Sequence, residues 1–284
     1  MAAHKKSLTI LLALAAVIAM SAQAPPQRII SLIPSVTEML FAMGAGPRVV
    51  GVGSFDRYPP EALTRRKVGG LLDPDVETIL SLKPDLIAVY GTQTDLRSQM
   101  ERAQIPMFLY QHAGLSDITT TIRALGQRVG SAAAANRLAD GLESSIADTR
   151  KLVSGKPRPR TLLVFGRDTE TLRGTYASGG IGFLHDMLEA AGGVNVFADI
   201  KRQSVQATSE LILTRGPDVI IEVGAETASS KGRNLKAWDT LAAIPAVRTH
   251  RIYVLTGDDM MNPGPRVAQA VRRMAHVLHP EVVP

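Results

Sequence analysis

Two stretches of this chain repeat in order, and that limits the folds open to it more than any other feature. Glu77-Thr-Ile-Leu-Ser-Leu-Lys-Pro84-Asp85-Leu-Ile87 aligns without gaps with Glu210-Leu-Ile-Leu-Thr-Arg-Gly-Pro217-Asp218-Val-Ile220. Glu38-Met-Leu-Phe-Ala-Met-Gly44 aligns with Asp186-Met-Leu-Glu-Ala-Ala-Gly192, at a slightly longer offset. Ordered internal similarity of this kind marks copies of one supersecondary architecture, so the chain reads as two related halves.

Each half alternates strand and helix signals. Arg28 to Leu32 is a β-rich run, and Ser35-Val-Thr-Glu38 after it reads as a capping box. Gly44 is placed to end that helix in the left-handed conformation. Asp73-Pro74 supplies a cap and a first-turn proline for a helix through Leu82, and Pro84 stops it before a strand from Leu86 to Tyr90. Another strand is read from Pro106 to Tyr110. The second half repeats the scheme, with strands near Thr161–Phe165, Val219–Val223 and Ile252–Leu255. Such alternation implies parallel sheets covered by helices, an α/β class with two Rossmann-like lobes, 28–130 and 160–284. Between them, residues 131–154 carry Leu138, Leu142, Ile146 and Val153 at helical spacing with no proline. They predict one helix of about 23 residues, roughly 35 Å long at about 1.5 Å per residue, a rigid strut rather than a hinge.

Residues 1–24 read as a cleaved signal peptide. Lys5 and Lys6 precede an apolar run from Leu8 to Met20, too short to span a hydrocarbon core of about 30 Å. Ala22-Gln23-Ala24 resembles a cleavage site, with Ser21 as a competing position because Pro25 follows directly. The chain has no cysteine, which excludes disulfides, thiol chemistry and cysteine-ligated metals. With no cysteine to lipidate, the expectation is a soluble, monomeric periplasmic protein that is not a lipoprotein. The formal charge of +6 falls to +4 once Lys5 and Lys6 are removed. The remaining basic residues are scattered, with no aromatic-interleaved stripe, which argues against nucleic-acid binding.

Four of the five tyrosines fall at strand ends or in loops. Tyr58 precedes a Pro-Pro turn, Tyr90 and Tyr110 end strands, and Tyr176 lies in a glycine-containing loop. Ligands bind at the carboxyl ends of strands in open parallel sheets, and tyrosines there offer an apolar ring with a polar tip.

Several separated blocks resemble one family. Arg28-Ile-Ile-Ser-Leu-Ile-Pro-Ser-Val-Thr-Glu38, Tyr58-Pro59-Pro60, the stretch from Gly69-Gly70 to Leu82-Lys83-Pro84-Asp85, and Pro263-Gly-Pro-Arg266 are similar to the helical-backbone periplasmic substrate-binding proteins. These deliver cobalamin, ferric siderophores or haem to ABC importers. The resemblance runs from Arg28 to about Leu278. It implies two α/β lobes joined by one long helix, with the ligand in the cleft between them. The Phe55-Asp-Arg-Tyr58-Pro-Pro60 segment is most similar to the cobalamin branch. It implies ligand contacts from Tyr58, Tyr90, Tyr176 and the loop Asp258-Asp259-Met260-Met261. The branch's tryptophans are missing around Leu71-Leu72, Ser204 and Met260. A ferric siderophore or haem stays open as an alternative, with Arg167, Arg173 and Arg266 as cationic candidates and Tyr58 or Tyr176 as an iron ligand. Glu77 and Glu210, at matching repeat positions, are implied to dock on the two subunits of a dimeric inner-membrane permease.

A catalytic role is not expected. The sequence lacks a G-x-S-x-G elbow, a phosphate-binding G-x-x-x-x-G-K-[ST] loop and an H-E-x-x-H metal motif. His276 and His279 stand three apart, a spacing read as an exposed helix face rather than a metal site. An exported metal chaperone is the weaker rival, for want of histidine-rich or acidic loops. No cofactor is expected, a corrinoid or related metal chelate being the transported ligand.

Overall fold

A computed structural model describes residues 24–111, 114–225 and 232–283; the proposed signal segment lies almost wholly outside them. The first half builds a five-stranded sheet from β1 (Ile29–Ser31), β2 (Val49–Val52), β3 (Arg66–Lys67), β4 (Leu86–Tyr90) and β5 (Met107–Tyr110). Its order is β3-β2-β1-β4-β5, and every pairing is parallel. Helices α1 (Pro34–Ala42), α2 (Val76–Ser81), α3 (Thr94–Arg102) and α4 (Leu115–Arg128) make the connections. The strut is α5 (Ala132–Val153), 22 residues and about 33 Å long.

The second half contributes β6 (Arg160–Gly166), β7 (Tyr176–Ser178), α6 (Phe183–Ala190), β8 (Val194–Asn195), β9 (Ser204–Gln206), α7 (Ser209–Arg215) and β10 (Val219–Gly224). It ends in α8 (Pro245–Arg248), β11 (Ile252–Thr256), α9 (Asp258–Met261) and α10 (Val267–Leu278). Its sheet runs β11-β10-β6-β7-β9, with β8 beside the start of β6. The sheet is mixed rather than wholly parallel, because β7 runs antiparallel to both β6 and β9. Tyr176 accordingly opens a short strand instead of lying in a loop.

The repeat survives as matched backbone. Asp75 and Thr208, related by the same offset as Glu77 and Glu210, both cap their helices, accepting from the amides of Thr78 and Leu211. Lys83 and Gly216, another pair at that offset, both turn left-handed, with φ of 47° and 53°. A proline follows each, and then a strand flanked by neighbours on both sides, β4 or β10. Gly44 and Gly192, the ends of the second repeated stretch, are left-handed at 80° and 86° after α1 and α6. Behind Gly44 the Ala45 amide donates to the Leu40 carbonyl at 2.8 Å, the wrap-around bond that closes a glycine-ended helix.

Two local expectations are corrected. α2 starts after Asp75 rather than at Asp73-Pro74, because Pro74 is held extended in a bridge with Gly69 and the Asp75 amide donates to the Val68 carbonyl. Ser35 and Glu38 form no capping box. Pro34 already occupies the first turn, no side chain caps the helix, and both residues are buried with distant partners.

Each sheet buries one face in a small core of its own. Ile30, Ile79, Ile87 and Met100 fill the first, and Phe197, Ile212, Ile220 and Trp238 the second. The other faces meet in one continuous core, which runs from Ile29 and Met39 through Ile122, Leu142 and Ile146 to Leu163, Met187 and Met274. The strut is therefore embedded, packed on α4, α6 and α10. Its approach to α4 is so close that a Cβ at Gly126 would stand 2.1 Å from that of Ala135. Among the described residues no helix is long and apolar enough to cross a membrane.

Candidate functional site

The α1 amino terminus, the loop after β2 and the segment after β11 converge where the lobes face each other. The loop 53–59 is pinned at its base, since the Lys67 Nζ donates to the carbonyls of Gly53 at 3.1 Å and Asp56 at 2.8 Å. Pro59 and Pro60 fix φ at its end and lead into a 3-10 turn, Pro60–Thr64. Phe55, Arg57 and Tyr58 are thereby left exposed while Asp56 turns inward. Opposite them, α9 and the turn after it present Asp258, Met261 and Asn262. Phe55, Arg57, Tyr58, Asp258, Met261 and Asn262 line a cavity of about 230 Å³, closed by Pro34, Glu38 and Ala225. On its far side Met261 also lines a cavity of about 220 Å³ with Phe165, Ile181, Phe183 and Ser204. Tyr176 stacks on Phe165 with centroids 6.4 Å apart, which carries an aromatic surface outward from that second cavity.

The interlobe floor is tied by charge. Glu38 is 4% exposed. Its Oε2 accepts from Arg266 Nε at 2.9 Å, and its Oε1 accepts from Arg266 Nη2 at 2.6 Å and Asn262 Nδ2 at 3.0 Å. The Arg266 guanidinium also lies 4.0 Å from the centre of the Tyr58 ring, within cation–π range.

Asp56 is 1% exposed, and neither carboxylate oxygen has a hydrogen-bond partner of ordinary geometry. Burial pushes its pKa up to about 6, only partly offset by the nearby Thr37 hydroxyl, the Lys67 charge and the Gly53 backbone. The Tyr90 hydroxyl is raised by burial and then by the Asp56 charge.

The structure brings together three of the residues singled out from the sequence, Tyr58, Asp258 and Met261, with Tyr176 at the margin. Tyr90 is half-buried, its ring 5.6 Å edge-on from Tyr110. Tyr110 is core, its hydroxyl at 3.2 Å from the Ser35 hydroxyl. Asp259 and Met260 point away from the cleft. Asp259 is held by Arg273 at 2.8 and 3.0 Å, and Met260 is fully buried in the shared core, because α9 packs on α10 and presents only one side to the cavity. Two of the three cationic candidates are already paired. Arg266 belongs to Glu38, and Arg167, its side chain wholly buried, bonds Glu222 at 2.8 Å, a carboxylate it shares with Arg233. Arg173 is exposed and lines none of these cavities. Glu77 and Glu210 are exposed in the first turns of α2 and α7, with no ion pair among the described residues. The Glu210 carboxyl sits below its usual range because its own amide and the Thr208 hydroxyl bond it.

Phe55, Arg57 and Asn262 are not among the residues singled out from the sequence, although the first two flank Tyr58 in a segment that is. The sequence pattern makes Glu38 a local cap, and its link to Arg266, near the other end of the chain, leaves no local signal.

A family model for periplasmic binding proteins matches residues 29–258. The chain belongs to that family. An uncharacterized ABC transporter substrate-binding lipoprotein of Bacillus subtilis, YvrC, is 30% identical over 264 residues, covering 90% of this chain and 81% of the relative. The vitamin B12-binding protein of Vibrio cholerae is also 30% identical, over 257 residues and 89% and 90% of the two chains. The crystal structure of BtuF, a periplasmic vitamin B12-binding protein of that species, matches this fold with a TM-score of 0.76 at 26% identity, covering 90% and 98%. The haem-binding protein RhuT of Roseiflexus sp. RS-1 matches at 0.74 and 28% identity, covering 89% and 98%. The two-lobed α/β architecture and the ABC substrate-binding class are thus those of the family, whose members are transport proteins that carry small ligands to permeases. One expectation is overturned. With YvrC a lipoprotein, lipid-anchored receptors occur among relatives of this chain, so the inference from the cysteine count to an unanchored protein does not stand.

Proposed function

We propose that this substrate-binding protein captures a corrinoid, cobalamin foremost, and hands it to a dimeric ABC permease. The observation that carries the reading is the composition of the cleft. Aromatic and thioether side chains from both lobes, Phe55 and Tyr58 against Met261 and Phe165, dominate its walls, with Arg57 and Asp258 as charged groups at the rim and Glu38 tied to Arg266. A corrin presents a broad, partly apolar face to such walls, whereas a carboxylate-rich ferric siderophore calls for unpaired cations. Of the cationic candidates, Arg167 and Arg266 are already paired, which leaves Arg57 as the one arginine lining these two cavities without an ion pair among the described residues. Similarity to the vitamin B12-binding protein of Vibrio cholerae supports the same choice.

Cavities of about 230 and 220 Å³, both open to solvent, are smaller than a tetrapyrrole-sized ligand requires. They form footholds on either side of Met261, and most of a bound chelate would lie in the open mouth above them. No side chain here is asked to do chemistry. Tyr58 and Tyr176 supply stacking surface, Arg57 and Asp258 polar contacts at the rim, and Glu77 and Glu210 the permease contacts.

Difference absorption spectra and calorimetry with cyanocobalamin, haemin and ferric siderophores test the proposal. Saturable cyanocobalamin binding at micromolar concentration or below is expected, weakened about tenfold or more in Tyr58→Ala. Absence of cyanocobalamin binding at micromolar concentration, or tighter binding of haemin, would overturn it.

A further inference from the structure

Glu38, Asn262, Arg266 and Tyr58 form a unit whose geometry exceeds what packing needs. Glu38 belongs to α1 of the first lobe, and Asn262 and Arg266 to the turn between α9 and α10 of the second. That turn packs against the start of α1 in ordinary van der Waals contact, a Cβ at Gly264 standing 3.5 Å from the Ser35 Cα. Among the described residues, the side-chain hydrogen bonds to the Glu38 carboxylate come from the opposite lobe. The unit separates the 230 Å³ cleft cavity from a second one of about 450 Å³ against Phe41, Pro47 and Pro265, and Glu38 and Tyr58 line both.

We propose that Arg266 is a positioning residue for ligand capture, coupling the spacing of the lobes to the orientation of Tyr58. The fork of donors is the reason. The guanidinium engages both Glu38 oxygens while its central carbon lies 4.0 Å from the centre of the Tyr58 ring, two contacts that the single ammonium of a lysine cannot make together. With Arg266 20% exposed and Glu38 3% exposed at their side chains, separating the lobes strips a buried carboxylate of every side-chain partner and uncovers the ring in the same movement. A small opening is therefore opposed cooperatively, and Tyr58 keeps its ligand-facing attitude only while the lobes stay together. The role in capture rests on the function proposed above; the coupling itself does not.

Because the chain has no cysteine, spin labels go only where they are introduced. Glu101→Cys and Lys236→Cys, exposed on opposite lobes, report interlobe distance in the ligand-free protein. Broader and longer distance distributions are expected in Glu38→Gln and Arg266→Gln; distributions superimposable on the parent would overturn the coupling. Fluorine NMR of the 3-fluorotyrosine-labelled protein, with the Tyr58 resonance assigned by Tyr58→Phe, should show that resonance displaced in Arg266→Lys while the melting temperature stays near the parent's. An unmoved resonance would overturn the positioning role. Cyanocobalamin affinity should fall at least tenfold in Arg266→Lys, and parental affinity in that variant would also count against it. If the parent itself fails to bind cyanocobalamin, the corrinoid reading falls, and the distance and fluorine measurements still decide the coupling.

Discussion

Asp56 shows how one residue can carry a cost that the surrounding site requires. Its carboxylate is buried beneath the loop that presents Phe55, Arg57 and Tyr58, with no well-formed hydrogen bond and a pKa raised to about 6. The folded state therefore binds this proton more tightly than the unfolded chain, where the ordinary value is 3.8. Stability from this group is fully present below the unfolded value and is lost as pH rises through about 6. The loss approaches about 3 kcal/mol, since each tenfold difference in proton affinity between the two states is worth about 1.4 kcal/mol. Asp56→Asn removes the charge while nearly preserving shape. It should raise the melting temperature at pH 7.5 by several degrees and by only about a third as much at pH 4.5, which lies just above the unfolded value, as scanning calorimetry would show; an equal effect at both values would contradict this account. Legibility at this scale is uneven. Tyr58 stands out because a Pro-Pro turn makes its loop stiff and exposed. Asp56, two residues before it, carries no mark of its burial, and Glu38 carries a misleading one, since Ser-x-x-Glu after a strand is the pattern of a local cap.

At the scale of elements the strands read from the sequence and the strut are placed to within about a residue or two. The strands read from Leu86 and from Val219 begin where the structure begins them, and the strut read as 131–154 is the helix Ala132–Val153. Hydrophobic period decides where a strand or helix exists, whereas its ends are set by tertiary bonds. The bridge between Gly69 and Pro74 delays α2 in this way. The short strands β2, β3, β7, β8 and β9, two to four residues each, are not read from the sequence. The strut itself contains a weakness. Gly141 lies mid-helix on an exposed face, and a Cβ built there meets nothing within 4 Å. Glycine in a helix interior costs about 1 kcal/mol relative to alanine. Gly141→Ala should therefore raise unfolding free energy by about 0.5–1 kcal/mol in denaturant titrations, with ligand affinity unchanged. A loss of stability would mean that the strut depends on local bending.

For the whole molecule, the two copies of one architecture offer two matched positions to the dimeric permease proposed above. The shared core and embedded strut, together with the Glu38–Arg266 tie, restrain the lobes, so the spacing of Glu77 and Glu210 varies less than it would across a flexible hinge. Both carboxylates are exposed, unpaired among the described residues, and set in first turns whose amides favour negative charge. Those amides explain an acid at either place alone. The equivalence of the two places is what points to a dimeric permease, since the helix dipole makes no demand that an acid in one half match an acid in the other. Exposed charges act at the range of a Debye length, about 8 Å at physiological salt, and govern encounter rate and orientation more than ligand affinity. Neither residue lines the cleft cavities. The double variant Glu77→Lys/Glu210→Lys should therefore bind cyanocobalamin like the parent yet fail to stimulate ATP hydrolysis by its reconstituted permease. Either single reversal should slow association about tenfold at low salt, with the difference shrinking as salt is raised. Full stimulation by the double variant would show that the repeated acids serve only their own helices and that the partner reads another surface.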